Sequence, residues 1–182
     1  MTDVRIPTHL LPLSYEVKLV PFIIPDNFTI DGQVSVLMEA ATTGSNNITL
    51  HSADTEIEHG SVRVAEVTSD GSKVIAEVGI SGHDVDKDRE FYITRLDRSI
   101  VAGRFYKISM RFVAKLNDNL KGFYRSVYTN DQGQKEYIAV TQFQASSVDG
   151  GLYARRQNLK KTFFDIRPLT QGVPFLAWMS QH

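Results

Sequence analysis

Apolar and polar residues alternate along most of this 182-residue chain. A period of two puts every second side chain on the same face of an extended strand, so the pattern is typical of sheets with one buried face. The alternation is clearest over residues 104–116 and 28–40, where Leu37 breaks it. Shorter segments with strand character occupy most of the remaining chain up to residue 145, and none has a helical period: 15–19, 48–51, 62–67, 74–80, 91–96, 123–128 and 137–143.

Turn-forming tetrapeptides separate several predicted strands. Ser69-Asp70-Gly71-Ser72 contains an Asp-Gly pair that readily adopts the positive φ of a hairpin turn, and Asn130-Asp131-Gln132-Gly133 predicts a second hairpin. Many short strands with turns between them predict an all-β fold, either a sandwich or an open curved antiparallel sheet. The charged run 81–90 interrupts the strands and is interpreted as a solvated loop.

The pattern changes near residue 145. We therefore assign residues 1–145 to one β domain and residues 146–182 to a divergent, irregular tail. The tail has no clean period of either kind, so its sequence leaves open whether it completes the domain.

Composition excludes several classes of function. Lys and Arg number 20 and Asp and Glu 21, which gives a net charge of −1 and not the basic excess of a nucleic-acid-binding protein. The chain has no cysteine, so it has no disulfide, thiolate zinc site or cysteine nucleophile. No run approaches the ~20 apolar residues of a membrane-spanning helix, and the first residues lack a signal-peptide core. Taken literally, the chain is expected to be cytoplasmic, without nucleic-acid partner or membrane segment; as part of a longer protein, its compartment stays open.

The residues show no catalytic constellation. The histidines do not form the H-E-x-x-H pair of a zinc site, and there is no G-x-S-x-G elbow or glycine-rich phosphate loop. We therefore predict no catalytic residue and no metal ligand in this chain. The histidines are expected at surfaces or sheet rims: His9, His51, His59, His83 and His182.

Five short strings carry more information than the alternation does. They are Arg5-Ile6-Pro7 with Leu11-Pro12-Leu13-Ser14-Tyr15, Phe28-Thr29-Ile30-Asp31-Gly32, Ile48-Thr49-Leu50-His51-Ser52, Leu120-Lys121-Gly122-Phe123-Tyr124-Arg125-Ser126, and Thr141-Gln142-Phe143-Gln144-Ala145. In this order they resemble the N-terminal β domain of the zinc aminopeptidases of peptidase family M1, the aminopeptidase N-like group. The resemblance implies a saddle-like β domain that caps the active site of a larger enzyme.

The family's catalytic motifs, G-A-M-E-N and H-E-x-x-H, do not occur in this sequence. The resemblance thus implies that the zinc and its ligands belong to a separate catalytic domain. We expect a chain truncated before that domain, without a cofactor of its own and inactive by itself, because the metal-activated water is missing.

The resemblance also implies two substrate-binding residues. Gln144 matches the second polar position of the T-Q-x-Q/E motif, which holds the free amino group of the peptide, and Gln142 matches the position that lines the pocket for the first side chain. Their side-chain carbonyl oxygens are suited to accept hydrogen bonds from an ammonium group.

Two other interpretations stay open at this point. The chain could be a non-catalytic binding or regulatory module that docks on the catalytic domain of a full-length homologue or on another protein, because the apolar residues 174–179 suggest a surface that faces a partner. It could also be an unrelated β-sandwich that binds carbohydrate or protein, which requires the five motifs to be coincidental.

Overall fold

The structure is a computed structural model that describes residues 5–24, 27–116, 118, 122–142, 161–166 and 175–178. Within these ranges the chain forms β-strands and one turn of 3₁₀ helix (His59–Ser61), and no α-helix. The first strands are β1 (Leu10–Ile24), β2 (Asn27–Ala40), β3 (Asn47–His51), β4 (Thr55–Ile57), β5 (Arg63–Val67) and β6 (Val74–Val78). They are followed by β7 (Ile80–Asp86), β8 (Phe91–Leu96), β9 (Phe105–Lys115), β10 (Gly122–Thr129), β11 (Lys135–Gln142), β12 (Lys161–Ile166) and β13 (Phe175–Trp178). The all-β prediction is confirmed.

The described strands form three open sheets. The main sheet has the order β12-β1-β2-β9-β5-β6, and β4 also pairs with β9. The second sheet is β3-β8-β7 and the third is β10-β11-β13. All pairings are antiparallel except β1 with β12 and β11 with β13. Each sheet therefore keeps two edges, as the prediction of an open antiparallel architecture requires.

The main sheet and the second sheet enclose one hydrophobic core. Val36 on β2 and Ile108 on β9 are fully buried, and Ile48 on β3 and Tyr92 on β8 belong to the same cluster. The alternation read from the sequence decides which side chains enter it, because Val34, Val36 and Met38 share one face of β2.

Leu37, which breaks the alternation of β2, has a defined environment. The pairing of β1 with β2 shifts between Pro12 and Ser14, so the register contains a bulge. Leu13 and Leu37 then pack with Ala65 and Val67 in a second, smaller cluster. The main sheet thus buries apolar side chains outside its main core as well, and Leu37 is apolar for that reason.

The predicted turn at residues 69–72 is confirmed. Gly71 has φ of +72°, and its N–H donates to the carbonyl of Thr68 at 2.8 Å. The Asp70 carboxylate accepts hydrogen bonds from the Thr68 hydroxyl and from the backbone N–H and hydroxyl of Ser72. These bonds, the Thr68 bond first, lower the pKa of Asp70 to about 2.

The charged run 81–90 was predicted to be a loop, and this prediction is wrong for its first part. Residues 80–86 form β7, which lies at the edge of the second sheet. Its charged residues are used locally: Asp84 pairs with Arg95 across the sheet, and Asp86 pairs with Arg89 in the turn that follows. Charged side chains are common on edge strands because they discourage pairing with other chains, so charge was not a sufficient reason to exclude a strand.

The described parts of the tail contribute two strands. Lys161–Ile166 runs parallel to β1, from Ser14 opposite Lys161 to Leu19 opposite Ile166. Phe175–Trp178 runs parallel to β11. The tail therefore adds backbone pairing to two sheets at these positions, while the boundary between residues 145 and 146 stays a prediction.

Candidate functional site

The β10–β11 hairpin carries the segment in which the substrate-binding residues are predicted. Its register runs from Thr129 opposite Lys135 to Gly122 opposite Gln142. The turn is closed around Asn130, whose N–H donates to the carbonyl of Gln134 at 2.9 Å and whose carbonyl accepts from the N–H of Gly133 at 2.9 Å. Both strands and the turn were predicted from the sequence and are confirmed.

Three aromatic and basic residues connect this hairpin to the main sheet. The Arg125 guanidinium lies over the ring of Phe28, with 4.2 Å between its Cζ and the ring centroid. The ring of Tyr137 lies 4.8 Å from that of Phe28. Arg125 also donates two hydrogen bonds to Asp118, which lowers the pKa of that carboxyl group. We call Phe28, Arg125 and Tyr137 the hairpin joint.

One of the two predicted site residues, Gln142, lies at the end of this hairpin. The backbone of Gln142 is the last residue of β11 and pairs with Gly122 on one side and with Trp178 on the other. Its side chain and the whole of Gln144 lie outside the described residues. Earlier on the same strand Ile138 is buried and Val140 is half-buried. The proposed roles of the two amides therefore stay predictions.

Three residues of the other motifs have structural roles. Gly32 lies opposite Phe112 in the pairing of β2 with β9, and a Cβ atom at Gly32 would clash with the Phe112 ring. Tyr15 is buried in the main core, and burial raises the pKa of its phenol to about 12. The His51 ring packs edge-on against Phe91 with 4.8 Å between centroids. These residue types are therefore required by the packing of the sheets.

A second group of candidate side chains, two histidines and a tyrosine, was not predicted from the sequence. His59 on the 3₁₀ turn and His83 on β7 have ring centroids 5.0 Å apart, and the Tyr92 ring stacks on His83 at 5.3 Å. We call these three residues the histidine pair and its tyrosine. The two histidines are 24 positions apart, so no local spacing pointed to the pair; only the pairing of β7 with β8 brings His83 close to Tyr92.

The environment of the pair changes its protonation. Desolvation, and secondly the charge on the neighbouring His59, lower the pKa of His83, while Asp84 acts in the opposite direction. Burial raises the pKa of Tyr92 to about 12. Neutral imidazole at His83 is therefore favoured near neutral pH.

The described part of the chain contains no group of three or more His, Cys, Asp or Glu side chains placed to hold a metal ion. No helix among the described residues is long and apolar enough to cross a membrane. The donor set of these ranges does not fit a catalytic zinc site of three protein ligands.

Comparison with known proteins gives one family. A model of the Peptidase M1 N-terminal domain matches residues 11–149. The thyrotropin-releasing hormone-degrading ectoenzyme of Rattus norvegicus is 30% identical over 142 residues, which cover 78% of this chain and 12% of the ectoenzyme. Aminopeptidase N of Mus musculus is 30% identical over 166 residues, 89% of this chain and 17% of that protein. Aminopeptidase 2 of Candida albicans is 28% identical over 139 residues, which cover 76% of this chain and 13% of that protein.

The chain spans less than a fifth of the length of these relatives. The family match covers four of the five motifs completely and the opening motif from Leu11 onwards. It rules out the interpretation that the motifs are coincidental in an unrelated β-sandwich. The β-strand architecture and the matched region together show that this chain belongs to the family of peptidase M1 N-terminal domains.

Proposed function

We propose that this chain acts as the N-terminal domain of a zinc aminopeptidase and forms the wall of the active site that receives the amino terminus of the peptide. The observation that carries the proposal is the string Thr141-Gln142-Phe143-Gln144-Ala145, which lies inside the matched region and begins in the last residues of β11. The hairpin joint ties the hairpin that carries Thr141 and Gln142 to the main sheet.

The chemistry of the proposed site is recognition of an ammonium group. A free peptide amino terminus offers up to three N–H donors, and an amide side chain offers a carbonyl oxygen as acceptor. In this proposal Gln144 accepts from the ammonium, and Gln142 lines the pocket for the first side chain. A hydrogen bond to a charged group contributes about 1.5–3 kcal/mol, so the Gln144 contact would favour a free over an acetylated amino terminus by roughly tenfold to a hundredfold.

Peptide hydrolysis by this family requires zinc, and among the described residues no three or more His, Cys, Asp or Glu side chains are grouped to hold the ion. We therefore propose that the hydrolytic step belongs to a catalytic domain and that this chain contributes binding. The chain assayed with aminoacyl chromogenic substrates and added zinc should show no turnover. Turnover that a chelator abolishes would contradict this part of the proposal.

The binding role is tested with a short peptide that carries a fluorophore at its carboxyl end. Fluorescence anisotropy gives its affinity for the chain with a free and with an acetylated amino terminus. We expect the free peptide to bind more tightly, and Gln144→Ala to remove that preference. Gln132→Ala is the matched control, because Gln132 lies exposed in the turn of the same hairpin. Equal affinity for both peptides, or loss of the preference in the control, would count against the proposal.

The alternative of a docking module rested on the apolar residues 174–179. The backbone of Phe175–Trp178 pairs with β11, so this segment has a partner within the chain. We favour the peptide-binding role because the matched region contains the string from Thr141 to Ala145. Retention of the chain by a full-length homologue's catalytic domain, together with equal affinity for the free and the acetylated peptide, would support the docking module instead.

A further inference from the structure

We propose that His59 and His83 form a binding site for a divalent late transition metal, with Zn²⁺ as the representative ion. This site is separate from the peptide site proposed above. The two rings line a cavity of about 360 Å³ that lies between the 3₁₀ turn, β5, β6 and the start of β7. The cavity is open to solvent along the exposed His59, so an ion with bound water can enter it.

The separation of the rings matches a shared metal ion. A zinc ion bound at about 2.1 Å from an imidazole nitrogen lies about 3.2 Å from the centroid of that ring. Two such bonds at a tetrahedral angle place the centroids about 5.2 Å apart. The observed separation is 5.0 Å, with the ring planes inclined by 57°. The separation of the two rings is therefore that of imidazoles sharing one ion.

Tyr92 holds the pair in place. Its ring is buried, stacks on His83 with an interplanar angle of 22°, and meets the edge of His59 at 5.6 Å. A rigid aromatic support limits the orientations that His83 samples, and an orientated ligand loses less entropy on binding metal. Tyr92 therefore supports the two imidazoles through ring contacts.

An unsatisfied nitrogen gives an independent reason for a ligand. Nδ1 of His83 is buried and has no hydrogen-bond partner among the described residues. Buried polar atoms are almost always paired, and the exceptions often mark a missing ion or water molecule. A metal ion bound at Nδ1 of His83 would satisfy this nitrogen.

The remaining groups of the cavity decide what kind of ion fits. Glu77 and Arg63 contribute one charge of each sign to the lining. The Arg63 guanidinium is held by the carbonyls of Gly60 and Val62, at 2.9 and 2.7 Å, and so is partly neutralised by backbone dipoles. Since the described residues supply no third ligand of the usual types in position, water must complete the shell. Nitrogen ligands favour Cu²⁺, Ni²⁺ and Zn²⁺ over Mn²⁺ and Mg²⁺.

The test is isothermal titration of the chain, purified without a histidine tag, with Zn²⁺, Ni²⁺ and Mg²⁺ near neutral pH. We expect one Zn²⁺ per chain, tighter binding of Ni²⁺ and Zn²⁺ than of Mg²⁺, and an affinity for Zn²⁺ at least tenfold weaker in His59→Asn. His59 is exposed, so this variant is expected to keep the fold, which circular dichroism checks. His9→Gln is the matched control, because His9 bonds the carbonyl of Asn47 away from the pair.

Each outcome decides the proposal. Retained affinity in His9→Gln together with loss in His59→Asn supports it. No heat of Zn²⁺ binding by the wild-type chain, unchanged affinity in His59→Asn, or equal loss in the His9→Gln control would overturn it. In addition, Zn²⁺ should raise the thermal midpoint of the wild-type chain and not that of His59→Asn, because a ligand that binds only the folded site stabilises it. Equal shifts in both proteins would also overturn the proposal.

Discussion

Replacing Gly32 by alanine tests the central packing contact between β2 and β9. A Cβ atom added at Gly32 would lie 2.6 Å from Cε1 of Phe112 and closer still to Cζ and Cε2. Phe112 lies directly opposite in the register and is 7% exposed, so its ring covers the glycine and belongs to the core. Glycine is therefore the only residue type at position 32 that leaves room for this ring.

The expected cost follows from two opposing effects. Forcing a methyl group into a packed core costs about 1–3 kcal/mol, and displacing a buried phenylalanine ring gives up part of the roughly 1.5–3 kcal/mol of its burial. Replacing glycine also reduces the entropy of the unfolded chain, which stabilises by about 0.4–1 kcal/mol. We expect Gly32→Ala to lower the free energy of unfolding by about 2–3 kcal/mol in total.

Urea denaturation followed by circular dichroism measures this change. The matched control is Gly82→Ala on β7, where an added Cβ meets no atom within 4 Å and φ is not positive, so that variant should be as stable as the wild type or slightly more stable. Phe112→Leu shortens the ring side chain and should recover part of the loss in the double variant, with a coupling of about 1–2 kcal/mol. Wild-type stability of Gly32→Ala, or strictly additive effects in the double variant, would refute the reasoning.

Three further changes test other parts of the structure. Arg125→Gln removes the cation–π contact and the Asp118 pair, so amide hydrogen exchange in β10 and β11 should accelerate by roughly fivefold. Unchanged exchange would refute the hairpin joint. The pKa of Tyr15 is about 12 in the folded chain and 10 in the unfolded chain, so its contribution to stability is complete below pH 10 and is lost as the pH rises towards 12. Tyr15→Phe cannot ionise and should therefore lose about 1.4 kcal/mol less stability than the wild type at pH 11. Identical alkaline denaturation curves would contradict this. Arg104→Met leaves the buried Glu66 carboxylate without its 2.9 Å partner and should destabilise by about 1–3 kcal/mol, partly restored by Glu66→Gln; a fully additive double variant would argue against the pair.

Much of the strand content is local information. The alternation of β9 and β2 and the turns at Gly71 and Gly133 depend on neighbouring residues, and for this reason they could be predicted from the sequence. Leu37 marks the limit of the pattern. It lies opposite Ser14, next to the bulge in β1, and its apolar side chain is explained by packing in the second cluster, with residues of other strands.

The pairing of distant segments could not be predicted from the pattern. A period of two indicates the face of a strand and not its neighbour, so the parallel addition of residues 161–166 to β1 had no local signature. The charges of β7 resembled those of a loop because an edge strand is also solvated. His59 lies on the 3₁₀ turn and His83 on β7, and no local spacing relates the two positions, so the histidine pair was missed.

The five motifs identified the family, which the alternation of apolar and polar residues could not do. The structure explains why some of the motif residues are needed. Gly32 and Phe28 belong to one motif and Arg125 to another, yet Phe28 and Arg125 meet in the hairpin joint. Motif residues can therefore identify a family because they pack the fold together. Only the string at residues 141–145 is proposed to bind substrate. The side chains that would bind the peptide lie outside the described residues, so their roles rest on the family.

The central claim is that residues 141–145 recognise a free peptide amino terminus. The most direct measurement is nuclear magnetic resonance of the ¹⁵N-labelled chain during titration with a short peptide, observing the backbone and side-chain amides of Gln142 and Gln144. We expect saturable shifts at these amides with the free peptide and much smaller shifts with the acetylated peptide. Shifts of equal size with both peptides, or shifts confined to other parts of the chain, would contradict it.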